Sequence, residues 1–166
     1  MRYHKITSPD INNGLGFRVT LWLSGCSLNC KFCHNPETHS FFSGKEFTEE
    51  SMNELLEKLS KPYISGLTLS GGNPFESNHK ELLNLIKIVK EKYPEKNIWV
   101  FSGYTFEESL EDLSLTEILK NIDVLIDGRF DYKLKNTSLA FRGSTNQRII
   151  DVKKSLEEGK VILYME

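Results

Sequence analysis

Short apolar runs alternating with amphipathic stretches predict an α/β fold, an open or partial βα barrel on a mostly parallel sheet, with residues 1–166 as one domain. Three observations predict it. The apolar runs are short and rich in β-formers, as buried strands are. The stretches between them have helical period and helical caps. A closed eight-fold barrel takes about 250 residues, whereas 166 residues hold four or five βα units.

The elements follow in order. Phe17–Gly25 (FRVTLWLSG) reads as the first strand. Phe47–Ser60 reads as a helix with Thr48 as N-cap, Glu49 and Glu50 in its first turn, and Pro62 shortly beyond its end. Gly66–Gly72 is a second strand running into glycines. The helix after it, from Ser77 to Pro94, carries Leu82, Leu85, Ile86, Val89 and Tyr93 on one face. Asn97–Gly103 is a third strand, Ser114–Asn121 a helix, Asp123–Gly128 a fourth strand and Lys160–Glu166 a last one.

In such sheets ligands bind beyond the carboxyl ends of the strands. The unusual residues sit there: the cysteine loop after the first strand, SGGN after the second, SGY after the third and DGR after the fourth.

Composition narrows the function. A net charge of -2 gives no electrostatic case for nucleic acid as a partner. No apolar run approaches the roughly 18 residues of a membrane span, so no membrane partner is expected. The N-terminal MRYHKITSPD lacks the apolar stretch of a secretory signal. An odd, clustered set of cysteines suits a reducing compartment. A cytoplasmic location is expected.

The only three cysteines are Cys26, Cys30 and Cys33, in GCSLNCKFCHN. Spaced C-x3-C-x2-C, they can wrap one compact metal centre. Iron–sulfur clusters take cysteine thiolates, usually one per iron, so three leave one iron of a [4Fe-4S] cluster open to bind a small molecule and pass it an electron. Other readings compete: a zinc site completed by His4, His34 or His39, a nucleophilic or redox pair in CKFC, and chance clustering of structural cysteines. His34, adjacent to Cys33, is awkward as a fourth ligand to the same ion.

C-x3-C-x-aromatic-C, with Phe32 as the aromatic, resembles the signature of radical S-adenosylmethionine enzymes. The resemblance implies a [4Fe-4S] cluster on Cys26, Cys30 and Cys33. Its open iron chelates S-adenosylmethionine, and reduction yields methionine and a 5′-deoxyadenosyl radical. It also implies that LTLSGGNPF matches the family's G-G-acid-P motif. Gly71 and Gly72 would then hold the methionine head by their backbone, with the backbone around Phe32, Cys33 and His34. Asn73 stands where the acid is expected. It can accept a hydrogen bond but brings no negative charge opposite an ammonium. No catalytic acid or base is implied, since the radical chemistry belongs to the cofactor.

Length and motif order narrow the resemblance. NGLGFR, the cysteine loop, SGGNP, IWVFSGY, DVLIDGRF and RGSTNQR together resemble the small activating proteins of anaerobic ribonucleoside-triphosphate reductase. That family implies an oxidoreductase that installs a glycyl radical on the reductase. It further implies a one-electron donor of the flavodoxin or ferredoxin type. His34 in CHN is closer to the activating enzyme of pyruvate formate-lyase, so an activase of another glycyl-radical enzyme is the alternative; a non-catalytic zinc-binding module is the other. NGLGFR itself reads as a turn entering the first strand, because it opens no helix. Asp127 reads as either a ligand for a cation or a helix cap. Arg142–Arg148 reads as a partner-docking or loop-fixing segment, or as solvated surface.

Overall fold

Side chains of the four internal apolar runs alternate between two surfaces, and a computed structural model of residues 1–166 sets them in the middle of one open sheet. Its strands are β1 (Arg2–Asp10), β2 (Phe17–Leu23), β3 (Lys45–Glu46), β4 (Ile64–Gly71), β5 (Asn97–Phe101), β6 (Val124–Asp127), β7 (Arg148–Asp151) and β8 (Leu163–Met165). They lie in the order β3-β1-β2-β4-β5-β6-β7-β8. β2, β4, β5 and β6 are parallel neighbours, as expected. The flanks make the sheet mixed around this parallel centre, because β1, β3, β7 and β8 all pair antiparallel. A connection as short as Ile11–Gly16 can only reverse the chain, which makes β1 and β2 antiparallel.

Five helices join the strands: α1 (Glu49–Leu59), α2 (His79–Lys92), α3 (Phe106–Leu110), α4 (Leu113–Leu119) and α5 (Val152–Glu158). Thr48 caps α1 as expected, its hydroxyl accepting from the Ser51 N–H in a reciprocal capping box. Asn78 caps α2, and Leu82, Leu85, Ile86 and Val89 are buried along one side of it. Asp112 caps α4 through the Ser114 and Leu115 N–H groups.

The two faces of the sheet differ. Val19, Leu21, Leu23, Leu67, Leu69, Ile98, Val100 and Leu125 point to the helices and form the main core with them. Each such leucine contributes about 2 kcal/mol by leaving water. The opposite face carries Arg18, Thr20, Thr68 and Ser70, then a small apolar cluster of Trp99, Val124, Ile126 and Ile149 that no helix residue joins. NGLGFR is the turn the sequence suggests, and its arginine is the anchor. Arg18 is fully buried, donating to Thr68 Oγ1 at 2.7 Å, Leu67 O at 2.9 Å and Leu15 O at 3.1 Å. Burial pushes its pKa down to about 10. No helix is long and apolar enough to cross a membrane.

Candidate functional site

β2, β4, β5 and β6 end on the same side, and their following loops line a cavity of about 450 Å³. The sequence-predicted Cys26, Cys30, Cys33, His34, Gly71, Gly72 and Asn73 all line it. Phe32 does not. Its ring is 66% exposed and stacks edge-on against Tyr132 at 5.1 Å.

The cysteine loop is curled and tied down by backbone. The Gly25 N–H donates to Thr38 O at 2.7 Å, and the Cys26 N–H to His39 O at 3.0 Å. Asn29 and Phe32 flank Cys30 at φ 51° and 59°, conformations that cost a side-chain-bearing residue energy and that cluster at functional sites. The Ser27 N–H donates to Glu76 Oε2 at 2.9 Å, and the Ser27 hydroxyl bonds the other carboxylate oxygen. Glu76 thereby fastens the cysteine loop to the segment after β4. Burial, then the nearby Glu76 charge, pushes the Tyr104 hydroxyl up from its ordinary pKa.

All three thiols are free and half-buried. Burial pushes Cys26 and Cys30 up from the usual thiol pKa, so binding a metal there releases protons. No three His, Cys, Asp or Glu groups converge as one ion requires. Thiolates that each bind a different iron stand further apart than ligands of a single zinc. His4 Nε2 bonds Ser43 Oγ at 2.8 Å away from the cavity, and the His34 ring, in the cavity lining, packs on Phe130 with centroids 5.0 Å apart. His39 Nε2 is buried without a partner, but His39 does not line the cavity. Three free thiols around one cavity are the donor chemistry of a [4Fe-4S] cluster with an open iron.

Gly71 and Gly72 serve the loop before any ligand. Gly71 has φ 105°, and a Cβ there would stand 2.4 Å from Leu23 O; at Gly72 it would stand 2.5 Å from Gly25 O. The Gly72 N–H donates to Leu23 O and the Asn73 N–H to Gly25 O, each at 2.8 Å. The Gly72 N–H is thereby used within the protein. Asn73 is 1% exposed, and its Oδ1 accepts from the Phe75 N–H and from the Ser102 hydroxyl.

Asp127 resolves as a cap and an ion pair. It accepts from the Phe106 N–H at 2.8 Å and binds Arg148 at 2.6 Å, which also reaches Glu107. Asp127 first, then Glu107, holds Arg148 above its ordinary pKa, and Arg148 holds Glu107 below its own. Arg142–Arg148 is a loop-fixing segment. Gln147 accepts from the Gly143 and Ser144 N–H groups and donates to Gly128 O, while Asn146 donates to Arg129 O. The sequence reading missed Glu76 as part of the site and gave Ser102 and Phe130 no role beyond their motifs SGY and DVLIDGRF. Glu76 carries one signal, its place three residues after Asn73 in the strand-end loop.

Residues 12–150 match the family model described as a 4Fe-4S single cluster domain. An anaerobic ribonucleoside-triphosphate reductase-activating protein of Enterobacteria phage T4 is 43% identical over 150 residues, 90% of this chain and 93% of that one. Its counterpart in Pasteurella multocida is 42% identical over 152 residues, 90% and 96% of the two chains. The Escherichia coli K12 protein of that name is 37% identical over 150 residues, 89% and 96%. Similarity of this extent spans the cysteine loop, the strand-end loops and most of the sheet, and the chain belongs to the family of anaerobic ribonucleoside-triphosphate reductase-activating proteins.

Proposed function

We propose that this chain is a radical S-adenosylmethionine activase, with a partial-barrel domain of that type, which installs a glycyl radical on anaerobic ribonucleoside-triphosphate reductase. The observation that carries the reading is the meeting of Cys26, Cys30 and Cys33 with the Gly71–Asn73 loop around one cavity. A [4Fe-4S] cluster and S-adenosylmethionine bound there would supply, on one-electron reduction, methionine and a 5′-deoxyadenosyl radical able to take a hydrogen atom from a glycine Cα of the reductase. The chain's own part is geometric. Cys26, Cys30 and Cys33 would hold three irons of the cluster, and Gly71 and Gly72, with the backbone around Phe32, Cys33 and His34, would position S-adenosylmethionine. The helix-free face of the sheet leaves a side through which a glycine loop of a large partner reaches the cavity. The electron comes from a flavodoxin or ferredoxin-type donor in the reducing cytoplasm, where three unpaired thiols persist.

Electron paramagnetic resonance on anaerobically reconstituted, reduced protein tests this. A reduced four-iron signal is expected, and adding S-adenosylmethionine is expected to change it. A signal indifferent to the cofactor, or stoichiometric zinc in place of iron, would sink the reading.

A further inference from the structure

The outer side of the cysteine loop carries a patch that the cavity does not use. Phe32 stands between Cys30 and Cys33, yet its ring is exposed and does not line the cavity. Tyr132 meets it edge-on. Lys31 Nζ lies over both rings, 5.4 Å from the centre of Phe32 and 5.0 Å from that of Tyr132. Lys133, Leu134 and Lys135 follow Tyr132 and are exposed as well. Asp131 is the one acid in the two segments, 29–33 and 130–135, and its carboxylate accepts from the Lys133 N–H. Three lysines around an aromatic pair stand out on a chain whose net charge is -2. No ion pair engages any of the three.

We propose that this patch is where the one-electron donor docks, and that the donor is a flavodoxin-type carrier with acidic side chains around its flavin. The inference rests on the reading above that the three cysteines hold a reducible cluster. Position argues against the reductase as the occupant, because its glycine has to enter the cavity, and Phe32 and Tyr132 lie outside the lining. A carrier at the cavity mouth would compete with that glycine loop. One on the outer side comes within two residues of two cluster ligands and leaves the mouth free. Electron-transfer contacts are small, below about 1,200 Å². Charge raises their on-rate more than their affinity, so a compact basic patch is enough. The aromatic pair favours a flavin over an iron–sulfur carrier, because a flavin presents a ring against which aromatic side chains pack. One electron leaves the fully reduced flavin and reduces the cluster by one. A proton lost by the flavin goes to water, and no bond to the protein forms or breaks.

The test is stopped-flow reduction of the anaerobically reconstituted protein by a purified, photoreduced flavodoxin, with a plant-type ferredoxin and dithionite alongside. Wild type is compared with the triple variant Lys31→Glu/Lys133→Glu/Lys135→Glu. At low ionic strength the variant's second-order rate with flavodoxin is expected to fall roughly 10- to 100-fold. At about 0.5 M salt the gap is expected to close to within about 3-fold. Iron content, the extent of reduction by dithionite and the dithionite-driven glycyl-radical yield on the reductase are expected to match the wild type. Tyr132→Leu is expected to slow flavodoxin about 3-fold and to leave ferredoxin unchanged. A flavodoxin rate indifferent to the three charges overturns the proposal. So does a triple variant that dithionite fails to reduce, since the lysines then support the cluster. A raised KM for the reductase under dithionite overturns it by assigning the patch to that partner, and equal slowing of both carriers by Tyr132→Leu overturns the choice of a flavin. A wild type that gives no reduced four-iron signal with dithionite overturns the reading of the cysteines themselves, and is told apart because it involves no variant.

Discussion

Alanine in place of Cys26, Cys30 or Cys33 is expected to bring glycyl-radical formation on the reductase down to background, a loss of at least about 100-fold. On the proposed reading each thiolate would hold its own iron, so deleting one would leave a second iron without a protein ligand and the cluster without a stable seat. The loss should be chemical rather than structural. The three side chains are small and half-buried, and they make no disulfide. Truncating one costs the fold about 1 kcal/mol. Iron content per chain, spin quantitation on the partner and thermal unfolding of the metal-free protein separate the two effects. A single-cysteine variant that keeps its glycyl-radical yield would remove the cluster from the mechanism.

Gly71→Ala is expected to be the most damaging substitution outside the cysteines. At φ 105° an L-residue is strained, and the new methyl would collide with Leu23 O at 2.4 Å and Leu23 N at 2.5 Å. Both are backbone atoms of the adjoining strand and cannot swing aside. Strain and overpacking together amount to roughly 4 kcal/mol. In a chain of this length that corresponds to a fall in Tm of about 8–16 °C. The β2–β4 junction would open where the cysteine loop begins, so iron uptake should fall alongside stability. An unfolding midpoint within about 2 °C of the wild type would show that the junction tolerates the methyl.

The central strands were legible because burial on both faces leaves a mark in composition. FRVTLWL, ISGLTLSG, NIWVF and VLID are short, rich in β-formers and mostly buried, and the structure begins and ends them within two residues of the expected bounds. Of the flanking strands only β8 was legible, inside the expected Lys160–Glu166; β1, β3 and β7 were not, for the same physical reason. β1 carries Arg2, His4, Lys5, Pro9 and Asp10 and is largely half-exposed, so neither period nor apolarity sets it apart. β7 hides at the end of a polar segment whose Arg148 enters the strand to meet Asp127. α3 and α5 span five and seven residues, too short for a periodic pattern to show. For the site, spacing placed the thiols and glycines together, since strand ends and the loops after them are fixed once the parallel order is known. Contacts between distant residues left no trace in sequence. The bonds from Ser27 to Glu76 and from Ser102 to Asn73 exist only because β2, β4 and β5 lie side by side.

The crossover from β2 to β4 runs through residues 24–63 and contains the cysteine loop, β3 and α1. Its ends meet only when the parallel pair β2–β4 forms, and pairing between strands so far apart in the chain is slow. Before that event Gly25 has no Asn73 to accept from, and the three thiols ride on a free segment open to oxidants and stray metal. Afterwards they line the cavity, half-buried. In the metal-free chain, strand pairing thus comes before the cysteine loop is tied down. Pulsed thiol labelling during refolding of the metal-free chain should show Cys26 and Cys30 losing reactivity in the phase that forms the sheet. Protection of either before that phase would mean that the loop assembles by itself.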